Sequence, residues 1–139
     1  MTDGRMTEER MQQDQDWMIG EVVWVPGVRH VVVLSSDGLL KARSAGTPRD
    51  VADRLSAACS GLQSLAQSVG REFGMDGGAV KELMVGFEGG YLFARSAGTG
   101  SHLVVITEPV VDPRLIAQQM QAQVIKIGER NFSTPARRA

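Results

Sequence analysis

The residues best suited to carry chemistry in this chain are two glycine-rich stretches, two histidines and one cysteine. GMDGGAVK and AGTGSHL have the small residues of phosphate-cradling loops, and the string ARSAGT occurs twice, at residues 42–47 and 94–99. Neither stretch has the spacing that ends in Gly-Lys-Ser/Thr, and neither follows a strand and opens a βαβ unit, so tight turns account for the glycines. His30 and His102 are far apart and have no Cys, Asp or Glu at ligand spacing, which argues against a metal site. Cys59 sits near the apolar stripe of a helical stretch, with no basic neighbour or helix N-terminus to lower its pKa, and reads as a small buried thiol. There is no nucleophile-elbow pattern and no evident pair of carboxylates. These residues give no catalytic, cofactor-binding or metal site, and nothing points to an enzyme.

The bulk of the sequence is that of one ordinary domain. Its 139 residues are enough for one core and too few for two domains of typical size. Fifteen basic and sixteen acidic residues give a formal charge of -1, with no basic stripe of the kind that meets nucleic-acid phosphates. A single cysteine excludes an internal disulfide and suits a reducing compartment. The opening MTDGRMTEERMQQDQDW lacks the apolar core of a signal peptide, and VRHVVVLSS is far shorter than a membrane span. A cytoplasmic location is expected.

Periodicity supplies the elements. Met18, Val22 and Val25, with Ile19 and Val23, predict a helix from about Gln12 to Val25, stopped by Pro26-Gly27. VRHVVVLSSDGLLKARSA reads as a hairpin turning at Asp37-Gly38. Thr47 as cap, Pro48 first and Asp50 reaching back predict the start of a central helix that runs to about Val69. Val51, Leu55, Ala58, Leu62, Leu65 and Val69 form its apolar stripe. GREFGMDGG reads as a loop, followed by AVKELMVGF, YLFARSA and SHLVVIT as an antiparallel meander. Asp112 caps a last helix whose inner stripe is Ile116, Met120, Val124 and Ile127. Residues 1–11 and 129–139 read as flexible tails around a domain of residues 12–128. The order α-β-β-α-β-β-β-α is that of an α+β sandwich, and the unbroken apolar runs VVVL and LVVI call for helices on both sheet faces. Each ARSAGT then ends the second strand of a hairpin, with small Ala and Ser letting a helix sit close.

Two surface features stand out. Ala57, Gly61, Ser64 and Ser68 form a stripe of small residues roughly 110° from the apolar one, at 100° per residue. A mid-helix glycine costs about 1 kcal/mol relative to Ala, which suggests close approach of another backbone and hence a self-associating helix. Trp17 and Trp24 are seven residues apart, on one side of the first helix, where they either widen its core contact or anchor an interface.

DWMIGEVVWVPGVRHVVVLSSDGLLKARS, DVADRLSAACSGLQSLAQSVGREFG and GGYLFARSAGTGSHLVVIT, in that order and spacing, resemble the roadblock/light-chain-7 family. The likeness is to actinobacterial members encoded beside a sensor-kinase-like protein and a small Ras-like GTPase, and it covers residues 14–128. Trp24 departs from it, since such proteins tend to be polar there. The resemblance implies a five-stranded sheet of order 2-1-5-4-3, with the first and third helices on one face and the central helix on the other. It also implies a homodimer joined through the third strand and the central helix. On this chain that interface, with itself or a partner, falls on Arg54, Ala57, Gly61, Ser64, Ser68, Val80, Glu82 and Met84. No cofactor is implied. The implied function is a non-enzymatic scaffold or regulator of a small Ras-like GTPase, with the sensor-kinase-like protein as a further partner and neither nucleic acid nor membrane insertion involved. The rival reading is a small-molecule-sensing α+β module, for which the sequence offers no evident set of convergent polar groups.

Overall fold

A computed structural model describes residues 17–98 and 100–138. A 3₁₀ turn at Gly20–Trp24 leads into strands β1 (Val28–Ser35) and β2 (Leu40–Arg43), helix α1 (Arg49–Phe73), strands β3 (Glu82–Phe87), β4 (Gly90–Ser96) and β5 (Ser101–Thr107), and helix α2 (Pro113–Arg138). The strands form one antiparallel sheet of order β2-β1-β5-β4-β3, as the resemblance implies. β1 and β5 are central and buried on both faces, which is why their sequences do not alternate. Val31, Val33, Leu103 and Val105 pack against the 3₁₀ turn and α2. On the other face Val32, Leu34, Leu92 and Val104 pack against Ala52, Leu55 and Cys59 of α1. The helices therefore cover both faces in the expected arrangement.

The first helix is not continuous. Residues 17–19 are helical, Gly20 takes a left-handed φ of 61°, and the chain goes on as 3₁₀. The buried residues are Ile19, Val22 and Val25, a spacing of three that suits 3₁₀ geometry better than the α-helical stripe through Met18. The helical turn ends there because Gln123 of α2 donates its Nε2 hydrogens to the freed carbonyls of Trp17 (2.7 Å) and Met18 (2.9 Å). The left-handed φ favours glycine at position 20, and a Cβ there would push the Gln123 amide away from the two carbonyls it bonds. Residues 12–16, expected in this helix, and the tail 1–11 lie outside the described residues.

Three other boundaries move. Thr47 does not cap α1: it is fully buried, and its hydroxyl is bonded to His30 Nδ1 (2.9 Å) and to the Ser44 hydroxyl, so the cap position passes to Pro48. α1 continues beyond Val69 to Phe73, because Gly70 and Gly74 are helix-end positions packed on Gly78 and not part of a loop. α2 continues to Arg138, past residue 128, where the sequence places its end. Arg130 stacks 4.4 Å from the Trp17 ring centroid, and Gly128 meets Gly98 backbone to backbone; both hold this part of the helix to the domain. Asp112 caps α2 as expected, accepting from the Arg114 and Leu115 amides, and Ile116, Met120, Val124 and Ile127 are all buried.

The two ARSAGT strings do end β2 and β4, but they face opposite layers. Ala42 lies beneath the α2 layer and Ala94 beneath α1. The shared string is a shared strand exit serving two different packings.

The fold disfavours the charged form of both histidines. Burial lowers the His102 pKa from its ordinary value, and burial together with nearby Arg29 lowers that of His30. A depressed histidine pKa means that the unfolded chain binds more protons in the window below 6.5, so stability is full above that value and is lost as pH falls through it. The expected result is a thermal midpoint flat above about pH 7 that declines toward about pH 5. Gln at positions 30 and 102 should flatten that slope, which scanning calorimetry across pH would read.

Candidate interaction face

β3 is an edge strand, paired on one side with β4 and on the other with no strand among the described residues. An open edge is a row of unpaired N–H and C=O groups, a template for another strand. Above it runs the second half of α1. The helix faces the sheet through Ala52, Leu55, Ser56, Cys59 and Gln63, and none of its residues beyond Gln63 is buried. The reason is length: 25 residues make a helix of about 37 Å. That exceeds both the length of eight-residue β1, about 26 Å, and the breadth of five strands, about 20 Å.

The overhang is apolar. Leu65 is 69% exposed and Val69 60% exposed, with Phe73 and Met75 beyond them also open. Leu62, Leu65, Ala66 and Val69 form one wall of a groove of about 560 Å³, and Val80 to Leu83 form the other. Covering Leu65 and Val69 would contribute about 1–2 kcal/mol each.

The expected interface residues divide into three groups. Ala57, Gly61, Ser64 and Ser68 are exposed along the outer side of α1, roughly 150° from its buried face at 100° per residue. Among the described residues nothing beyond its own helix turn lies within 4 Å of a Cβ built on Gly61, so no described neighbour explains this glycine. Arg54 is exposed on the same helix and reaches Asp50 at 3.8 Å, a surface pair of little energetic weight. Val80 and Glu82 line the groove; Val80 precedes β3, and its carbonyl accepts from the Ser96 hydroxyl. Met84, 66% exposed, belongs to a different surface, a cleft beside α2 on the opposite face of the sheet.

Sequence reasoning missed Leu65 and Val69 as surface, assigning them to the core stripe. That stripe is apolar throughout, yet of its six positions Leu55 alone is buried; Val51 and Leu62 are half-buried, and Ala58, Leu65 and Val69 are exposed. The available signal was the length of α1 relative to the sheet it covers. Trp17 and Trp24 also part company: Trp17 packs on the core, whereas Trp24 is 80% exposed.

Cys59 is buried, and burial pushes its thiol up to about 11, so it is a packing residue and no nucleophile. Among the described residues no helix is long and apolar enough to cross a membrane.

The Roadblock/LC7 domain model matches residues 15–107. A Roadblock/LC7 domain structure from Streptomyces avermitilis is 35% identical with a TM-score of 0.78, covering 84% of this chain and 97% of that one. A second Roadblock/LC7 structure from the same organism is 38% identical with a TM-score of 0.65, over 83% and 97% of the two chains. The gliding protein MglB from Thermus thermophilus shares the fold at 17% identity and a TM-score of 0.69, over 86% and 92%. Comparison with the curated proteins gives no match. The family model and the two Streptomyces structures together place this chain in the Roadblock/LC7 family.

Proposed function

We propose that the chain is a non-enzymatic, homodimeric regulator of a small Ras-like GTPase, acting in the cytoplasm within a bacterial signalling operon. The observation that carries this reading is the exposed Leu65 and Val69 flank lying along an open strand edge, in a Roadblock/LC7 domain, a resemblance that implies a scaffold or regulator of such GTPases. A two-fold pairing of β3 with its copy would extend the sheet and set two α1 helices side by side, each covering the other's overhang. The paired outer helices, with their small residues Ala57, Gly61, Ser64 and Ser68, would then offer a broad, low-relief platform that a GTPase could approach closely.

Regulation by such a platform is differential affinity: it shifts the nucleotide state only by as much as it binds one state better than the other. The test is a pull-down with the operon's Ras-like GTPase loaded with GDP or with a non-hydrolysable GTP analogue. Retention in one state above the other is expected, and absence of binding in both states would overturn the reading. The operon's sensor-kinase-like protein is the further partner, to be tested in the same format.

A further inference from the structure

On the face of the sheet opposite α1, a cleft of about 420 Å³ separates β3 and β4 from the first turns of α2. Its volume falls in the roughly 300–1,000 Å³ range of small-molecule sites. Its floor is apolar: Ile116 and Met120 are buried, Phe93 half-buried, and Met84 stands open at the side. At one end Arg95 and Glu82, direct partners across the β4–β3 ladder, are paired at 2.6 Å. Arg95 also donates to the Gln121 side chain of α2, so its guanidinium is anchored from two elements and its side chain is only 25% exposed. Glu82 is the more exposed partner, with 61% of its side chain open to solvent.

An anchored cation beside a more exposed anion at the rim of an apolar cavity matches a ligand with both charges on one end and an apolar group on the other. We propose that this cleft binds a free α-amino acid with a bulky apolar side chain. The α-carboxylate accepts from Arg95, whose fork suits a carboxylate; the α-ammonium donates to Glu82; and the side chain covers Met84, Phe93 and Met120. A ligand with a carboxylate alone would leave Glu82 facing a second anion, and one with an ammonium alone would face Arg95. Every lining residue comes from one chain, but Glu82 and Met84 stand on β3, the strand proposed to pair with its copy, so binding is read together with the assembly state.

The test is calorimetric titration of the full chain with L-phenylalanine, N-acetyl-phenylalanine, phenylalanine amide and N-acetyl-phenylalanine amide. Free phenylalanine is expected to bind about tenfold or more tightly than any of the three blocked forms, each blocked charge losing a charge-assisted hydrogen bond. In Arg95→Gln the free amino acid should weaken while phenylalanine amide is unaffected, and in Glu82→Gln it should weaken while N-acetyl-phenylalanine does not. Light scattering on each variant separates loss of the ligand site from any change in assembly. Equal binding of all four compounds, or no heat with phenylalanine at millimolar concentration, would overturn the proposal and leave Glu82 and Arg95 as a cross-strand ion pair.

Discussion

Replacing Leu65 and Val69 together with aspartate is expected to convert the proposed homodimer to folded monomers. Both residues are largely exposed and lie outside the cluster of Leu55, Cys59, Val32 and Val104, so their replacement leaves that core untouched. In the pair of helices each would be covered, and four side chains at about 1–2 kcal/mol each, with aspartate's desolvation added, exceed what most interfaces survive losing. Light scattering should read about 15 kDa in place of about 30 kDa for a chain of 15.0 kDa, with unchanged far-ultraviolet circular dichroism. Gly61→Leu is the companion test. Among the described residues nothing beyond its own helix turn lies within 4 Å of a Cβ at Gly61, and in the proposed pairing the small stripe faces outward, so Gly61→Leu is expected to stay dimeric and to lose retention of the GTPase. A monomeric Gly61→Leu variant would instead place the small stripe in the self-contact.

The second large effect concerns the junction that sets the groove. Gly70 and Gly74 at the end of α1 pack against Gly78 in the loop before β3, and a Cβ on Gly70 would fall on the Gly78 carbonyl oxygen. Gly78 itself has φ 62°, and its own Cβ would meet the Gly70 carbonyl oxygen. The obstacles are backbone atoms, which do not swing away as a side chain would. Gly70→Ala should therefore destabilise by about 2–4 kcal/mol and lower the unfolding midpoint by roughly 10 °C. Gly46→Ala, where a Cβ meets nothing within 4 Å and φ is not positive, is the control and should change stability by less than about 0.5 kcal/mol. A Gly70→Ala midpoint equal to that of Gly46→Ala would show that the helix end is not locked to the loop.

The sequence was most legible where one element's pattern met one environment. β1 and β5 carry unbroken apolar runs because both faces are covered, and Asp112 with Pro113 starts α2 by local chemistry alone. It was least legible where a distant residue decides the outcome. Gly20 breaks the first helix because Gln123, far along the chain, takes over its carbonyls, and Thr47 is lost as a cap because His30 and Ser44 claim its hydroxyl. The candidate face falls between these cases. Gly61 and its small neighbours are evident from spacing, but the exposure of Leu65 and Val69 follows from where the sheet ends beneath α1. The Glu82–Arg95–Gln121 cluster needs the β3–β4 register and the position of α2 as well.

The claim that β3 and α1 form a two-fold interface is tested most directly by single cysteines placed in turn along residues 80–87 of a Cys59→Ser chain. In an antiparallel pairing of β3 with its own copy, one position lies on the two-fold axis and meets itself at a Cα separation of about 4.5–5.5 Å, within disulfide reach. Under mild oxidation, cross-linking should peak at that position and fall away on either side. Uniformly absent cross-linking, or an equal low yield at every position, would contradict the account.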